Sequence, residues 1–189
     1  NLKVRPKLTE ADKIILNEIN KLVKVAEKSY DEYDFHNPAI RLKHFLWEPF
    51  ASHYLELVKA RAYNKDGKFS REEQQAAIYT LRYCLEKLLM LMYPIIPLIS
   101  SRIYKELTAK SINEQKFPKS EKKLSVKAKL DDVLEINSLI WKAKKDKGLS
   151  LKAAVKSLIL PKKLASLRGL EADLKEAHNV PEIKFGDKI

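Results

Sequence analysis

The sequence predicts a mainly α protein, a helical bundle with a small C-terminal α/β appendage. Glycine is scarce, with four in 189 residues, and long segments carry apolar side chains at helical spacing. Helix start and stop signals recur through the first two thirds, and short β-like runs come only near the end. With 45% hydrophobic residues the chain suffices for one packed domain, or for one domain and an appendage.

The first helix is expected from about Thr9 to Tyr33, with Ile15, Ile19, Leu22 and Ala26 on one face and Lys13, Asn17, Lys21, Lys24 and Lys28 on another. Asn37-Pro38 starts a second, because Asn caps free amides and proline is tolerated at the first helical position. It runs to about Tyr63 with a kink at Pro49, which lacks an amide donor and clashes with the Phe45 carbonyl. Asn64 to Lys68 is a turn by its Asp-Gly pair, and Ser70 with Glu73 is a capping box that opens the third helix. Ile78, Leu81, Leu85, Leu88 and Met92 form its apolar stripe until Pro94 and Pro97 stop it. Ser100 or Ser101 then caps a shorter helix to about Thr108.

From Lys116 to Lys129 the pattern dissolves into a basic, proline-interrupted connector. The predicted organisation is a helical bundle over 1–118 and a basic C-terminal subdomain over 119–189, made of linker, helix and a short α/β element. Leu130, Val133, Ile136, Ile140 and Ala143 support a fifth helix ending near Gly148. β-like runs follow at Val155 to Leu160 and Ile183 to Phe185, with two short helices between them.

The charge balance, 37 Lys and Arg against 25 Asp and Glu for a net +12, favours a polyanionic partner. The single cysteine, Cys84, lies on a leucine stripe and reads as a packed core thiol, so no intrachain disulfide forms. The longest strongly apolar run, Leu88 to Tyr93, is far short of the roughly 18 residues of a membrane span. These features predict a cytoplasmic protein without a membrane partner, and a monomer.

Catalytic chemistry is hard to find. The four histidines have no close pairing and none follows a glutamate by three residues, so a metal site is not expected. The four glycines are isolated, so no phosphate loop is formed and no cofactor is expected on this chain. What remains is polyanion binding. Lys142, Lys144, Lys145 and Lys147 sit in the last turns of the fifth helix, where cations complement the macrodipole and reach phosphates. Arg41, Lys43, Lys59 and Arg61 decorate the aromatic second helix, on which Trp47 and Tyr54, seven apart, share a face. Aromatics beside cations stack on unpaired bases. The same pair also fits a bundle core.

Phe45-Leu46-Trp47-Glu48-Pro49-Phe50, then Tyr54-Leu55-Glu56 and Lys59, then Tyr93-Pro94-Ile95-Ile96-Pro97 closing a leucine-rich helix, resemble the anticodon-binding helical domain of class I aminoacyl-tRNA synthetases, most closely the valyl branch. Asp34-Phe35 before the second helix, Ser111-Ile112, Phe117-Pro118 and the stretch from Ile136 to Leu151 fit the same pattern in order and spacing. Two departures stand out: Ser100-Ser101-Arg102 where the family commonly has Thr-Glu-Glu, and Ser52-His53 where an Asp-Trp pair often stands.

The resemblance implies recognition of the tRNA anticodon, with valine tRNA favoured, as the C-terminal part of a ligase that attaches valine to its tRNA. It implies ATP and magnesium in a catalytic domain of the same polypeptide. This chain has neither a His-x-Gly-His element nor a Lys-Met-Ser-Lys-Ser loop, and is therefore expected to be a non-catalytic fragment that begins just inside its domain. The alternatives are the isoleucyl or leucyl branch, or a basic helical protein-interaction module.

Overall fold

The computed structural model describes residues 5–186. The first helix, α1, spans Glu10–Asp31, and Asp12 fixes its start by accepting the Thr9 amide at 3.0 Å and the Thr9 hydroxyl at 2.8 Å. The next segment is one continuous helical path with three geometries: α2 over His36–Phe45, a π-helical stretch over Leu46–Leu55, and α3 over Glu56–Tyr63. Its start is capped from Asp34, whose carboxylate accepts the Asn37 amide at 3.0 Å, and not by Asn37 itself.

The expected kink at Pro49 takes the form of π turns. Widening to i→i+5 bonding accommodates a residue that has no amide to donate. Ser52 Oγ donates to the Trp47 carbonyl at 2.8 Å inside the same stretch.

Asn64 ends α3 in the left-handed region at φ 44°. Its side chain pairs with both backbone groups of Phe69, at 2.7 and 3.0 Å, closing the turn in which Gly67 takes φ 65°. α4, Arg71–Met92, opens with the expected capping box: the Glu73 amide donates to Ser70 Oγ at 3.2 Å, and the Ser70 amide donates to the Glu73 carboxylate at 2.9 Å. The buried stripe of α4 is rotated from the expected one. Ala76, Ala77, Thr80, Cys84, Leu88 and Leu91 face inward, while Ile78 is exposed. Small side chains let α4 approach α1 closely, so size alone misplaces the stripe.

α5, Pro97–Thr108, starts at its proline rather than at Ser100 or Ser101, because Pro97 already has the φ of a first turn. Ser100 is consequently buried inside the helix. After a short 3-10 turn at Ile112–Glu114, residues 115–129 form no regular element.

That connector is nevertheless fastened along α1. Asn17 pairs with both backbone groups of Leu124, at 3.0 and 2.8 Å, and Asn20 accepts the Glu121 amide at 3.1 Å. Glu10 accepts the amide of Lys127. Asn17, expected on the solvated face, is buried because it serves as this backbone clamp.

α6, Leu130–Asp146, is followed by β1, Leu158–Pro161, a 3-10 stretch over Lys162–Leu170, α7 over Glu171–His178, and β2, Ile183–Gly186. The strands are parallel, with Leu158 opposite Ile183 and Leu160 opposite Phe185, and the helical crossover between them supplies the reversal a parallel pair requires. The apolar core runs from α1 (Ile15, Ile19, Val23) through α4 (Cys84, Leu88) to α6 (Ile136, Ile140) and the C-terminal segment (Leu164, Leu167, Leu174).

Candidate nucleic-acid interface

Within the π-helical stretch Trp47 is 73% exposed and Tyr54 only 3%. A wider turn holds more residues, so a seven-residue separation no longer returns to the same face. Phe45, Phe50 and Tyr54 stack in series in the core, with centroids 6.1 and 6.2 Å apart, and Trp47 is left outside. Arg41, Lys43 and Lys59 are exposed on the same helical path. Arg41 Nε donates to the Asn37 amide oxygen at 2.8 Å, and Lys59 pairs with Glu56 at 2.9 Å. On α6, Lys142, Lys145 and Lys147 are exposed.

Burial takes three of the candidates off the molecular surface. Arg61 is 1% exposed and holds Asp12 with both terminal nitrogens, at 2.8 and 3.1 Å. Its Nε donates to Asp173 at 2.8 Å and its Nη1 to the Glu73 carbonyl at 2.9 Å. Tyr54 donates its hydroxyl to Asp12 at 2.6 Å. Arg61 thus ties α1, α3, α4 and α7 together. Lys144 is also 1% exposed, and its ammonium donates to the carbonyls of Leu151, Ala153 and His178 at 2.9, 2.8 and 2.6 Å. An ammonium has three protons, and all three are committed.

Electrostatics follow from this packing. Burial raises the Tyr54 hydroxyl well above its ordinary range, and the Asp12 charge adds to it, so Tyr54 remains a donor. Burial opposes the Arg61 charge, but hydrogen bonding to Asp12 and the Asp173 charge outweigh it and push its pKa up. Burial lowers the Lys144 ammonium.

Burial pushes Asp173 up to about 6, despite Arg61, and pushes His178 down to about 4 with help from Lys144. These shifts give opposite pH slopes. The folded chain holds the Asp173 proton more tightly than the unfolded chain, so this contribution is full below the ordinary 3.8 and is lost as pH rises through about 6. His178 contributes fully above its ordinary 6.5 and loses that contribution as pH falls toward about 4. His178→Gln is therefore expected to leave stability that falls as pH rises from about 4 to 6, and Asp173→Asn the reverse trend. Urea midpoints of both variants across that range check the signs.

Residues 12–159 match the family model described as the anticodon-binding domain of tRNA ligase. The chain belongs to this family. Valine–tRNA ligase of Pyrobaculum aerophilum is 35% identical over 96% of the chain, which spans 23% of that protein. The Aeropyrum pernix valine–tRNA ligase is 36% identical over 77% of the chain and 18% of its own length. That of Rickettsia felis is 33% identical over 100% of the chain and 23% of its own length. The chain thus spans about a quarter or less of the relatives it matches.

This anticodon-binding domain also carries surface features that sequence reasoning passed over. Tyr63 is 67% exposed at the end of α3, with Lys65 Nζ 5.8 Å from its ring centroid. Tyr33 is exposed in a left-handed turn at φ 58°. The Trp141 and His53 rings meet across the α6 seam, tilted by 37° with centroids 5.0 Å apart. The Trp141-Lys142 adjacency at the edge of the lysine cluster was the available signal for that seam. Among the described residues no group of three or more His, Cys, Asp or Glu converges as a metal site, and no helix is long and apolar enough to cross a membrane.

Proposed function

We propose that this domain reads the anticodon of valine tRNA as part of a valine–tRNA ligase that attaches valine to its tRNA with ATP. The observation that carries this reading is similarity to valine–tRNA ligases along nearly the whole chain. Segment 1–118 acts as the anticodon-binding bundle and 119–189 as a basic appendage. Catalysis, with ATP and magnesium, belongs to another domain of the same polypeptide. The enzyme acts as a cytoplasmic monomer, away from membranes.

Recognition here requires no covalent step. Arg41, Lys43, Lys142, Lys145 and Lys147 engage phosphates, which fix position. Trp47 offers an exposed ring on which an unstacked anticodon base packs, and contacts to base edges give sequence preference. Because the affinity rests on phosphate contacts, it falls with salt. With about three to five phosphates neutralised, the log-log salt slope is expected at very roughly −2 to −4.

The test is binding of the chain to valine, isoleucine and unrelated tRNA transcripts across a salt series, with one valine transcript whose anticodon is exchanged. Preference that follows the valine anticodon supports the reading. Salt-sensitive binding that ignores the anticodon removes the specificity and leaves a basic surface.

A further inference from the structure

The seam between α3 and the C-terminal segment holds a pocket that neither Trp47 nor the α6 lysines explain. His53, Leu57, Asn137, Trp141, Lys152 and His178 line a cavity of about 220 Å³. One wall is aromatic, built by the His53 and Trp141 rings. Its polar edge is ordered by a single amide. Asn137 Nδ2 lies 3.3 Å from His53 Nδ1, and Asn137 Oδ1 lies 2.8 Å from His178 Nε2.

An amide nitrogen donates and an amide oxygen accepts, so His53 accepts at Nδ1 and His178 donates from Nε2. Burial lowers the pKa of both imidazoles and favours their neutral forms. Two ring positions are then left over. His53 retains a donor at Nε2, and His178, 2% exposed, retains an acceptor at Nδ1 that has no partner. A flat π face with one donor and one acceptor suits a nucleobase, whose edges carry both kinds of group.

The pocket adjoins a larger cleft of about 480 Å³, with which it shares Glu56, Lys152 and Ala177. Lys59 and Lys68 on this cleft are neutralised by Glu56 and Glu176, at 2.9 and 2.8 Å. Lys65 and Lys152 have no carboxylate partner among the described residues. Asp66 lines the cleft too, so one net positive charge lies beside a base-sized recess, with exposed Tyr63 on the same cleft.

We propose that this seam takes one unstacked nucleotide of a bound RNA, its base against Trp141 with its edge toward His53 and His178, and its flanking phosphates on Lys152 and Lys65. The proposal rests on the RNA-binding reading above. An RNA strand and a free nucleotide offer the same chemistry, and the test separates them.

The chain has two tryptophans, so Trp47→Phe, which keeps an aromatic face at that position and whose transcript affinity is measured by the same filter binding, leaves Trp141 as the only indole. Its emission is followed during titration with the valine tRNA transcript and, separately, with each of the four nucleoside monophosphates. Filter binding of the transcript to wild type, Lys65→Ala/Lys152→Ala and Trp141→Phe runs alongside. Saturable quenching by the transcript is expected. The lysine double variant should bind about tenfold more weakly, with a salt slope smaller by about two, while Trp141→Phe retains a stacking face and most of the affinity.

Transcript binding that neither changes Trp141 emission nor responds to the lysine variant overturns the seam site and leaves anticodon reading standing. Loss of all transcript binding in the wild type overturns both. Saturable quenching by a monophosphate without quenching by the transcript overturns RNA as the source and gives the pocket to a free nucleotide.

Discussion

An Arg61→Met chain is expected to lose about 3–5 kcal/mol of stability, the usual cost of removing one partner from a buried ionic cluster. At roughly 2–4 °C per kcal/mol for a chain of this size, that is a fall in Tm of about 6–20 °C. The cause is the pair of carboxylates left behind. Asp12 and Asp173 are 0% and 5% exposed, and a single guanidinium serves both. Tyr54 and Thr9 continue to donate to Asp12, but Asp173 loses its charged partner. Arg61→Lys is expected to recover only part of the loss, because an ammonium cannot match the bidentate grip on Asp12 while also reaching Asp173 and the Glu73 carbonyl. Urea denaturation followed by circular dichroism measures all three proteins. A loss below about 1 kcal/mol, typical of exposed pairs, would show that the cluster does not hold the helices together.

Lys144→Met is expected to cost about 3 kcal/mol or more, since it strands three carbonyls that a single charged donor now satisfies. Part of the penalty is offset because methionine removes the burden of burying an ammonium. The damage should be local, freeing residues 149–153 and the end of α7 from α6, and amide exchange at the backbone of Leu151 to Ala153 is expected to rise first. Its sequence neighbours provide the contrast. Lys142→Ala, Lys145→Ala and Lys147→Ala are exposed changes, expected to stay within about 0.5 kcal/mol of wild type while weakening tRNA binding. If Lys144→Met instead leaves stability intact and weakens only tRNA binding, its role as a backbone clamp is wrong.

Local signals in the sequence are legible because local physics decides them. The Ser70-Glu73 box spans three residues, and nothing distant competes with it. Helix α6 and the two short strands with helices between them follow from periodicity in the same way. Distant partnerships were not legible. Arg61 and Lys144 look like solvated cations in any window, since Asp12 lies 49 residues from Arg61, Asp173 lies 112 away, and the His178 carbonyl lies 34 from Lys144. An α-helical period puts Trp47 and Tyr54 on one face, and the π turns around Pro49 abolish that period. Asn17 shows the same blindness on a smaller side chain: its clamp on Leu124 closes across 107 residues.

The Arg61 cluster also bears on how the chain is made. Asp12 is synthesised first, Arg61 follows, and Asp173 emerges 112 residues after Arg61. At about 5–20 residues per second that interval lasts roughly 6–22 s, during which a nascent bundle has its guanidinium but only one of its two carboxylates. For about the first half of that interval helix α1 also lacks the strap at Glu121, Leu124 and Lys127, and for nearly all of it the C-terminal leucines that cover it. The N-terminal helices therefore wait on the segment around Asp173 to reach their final packing, and a ribosome that stalls before residue 173 holds a bundle with an open flank.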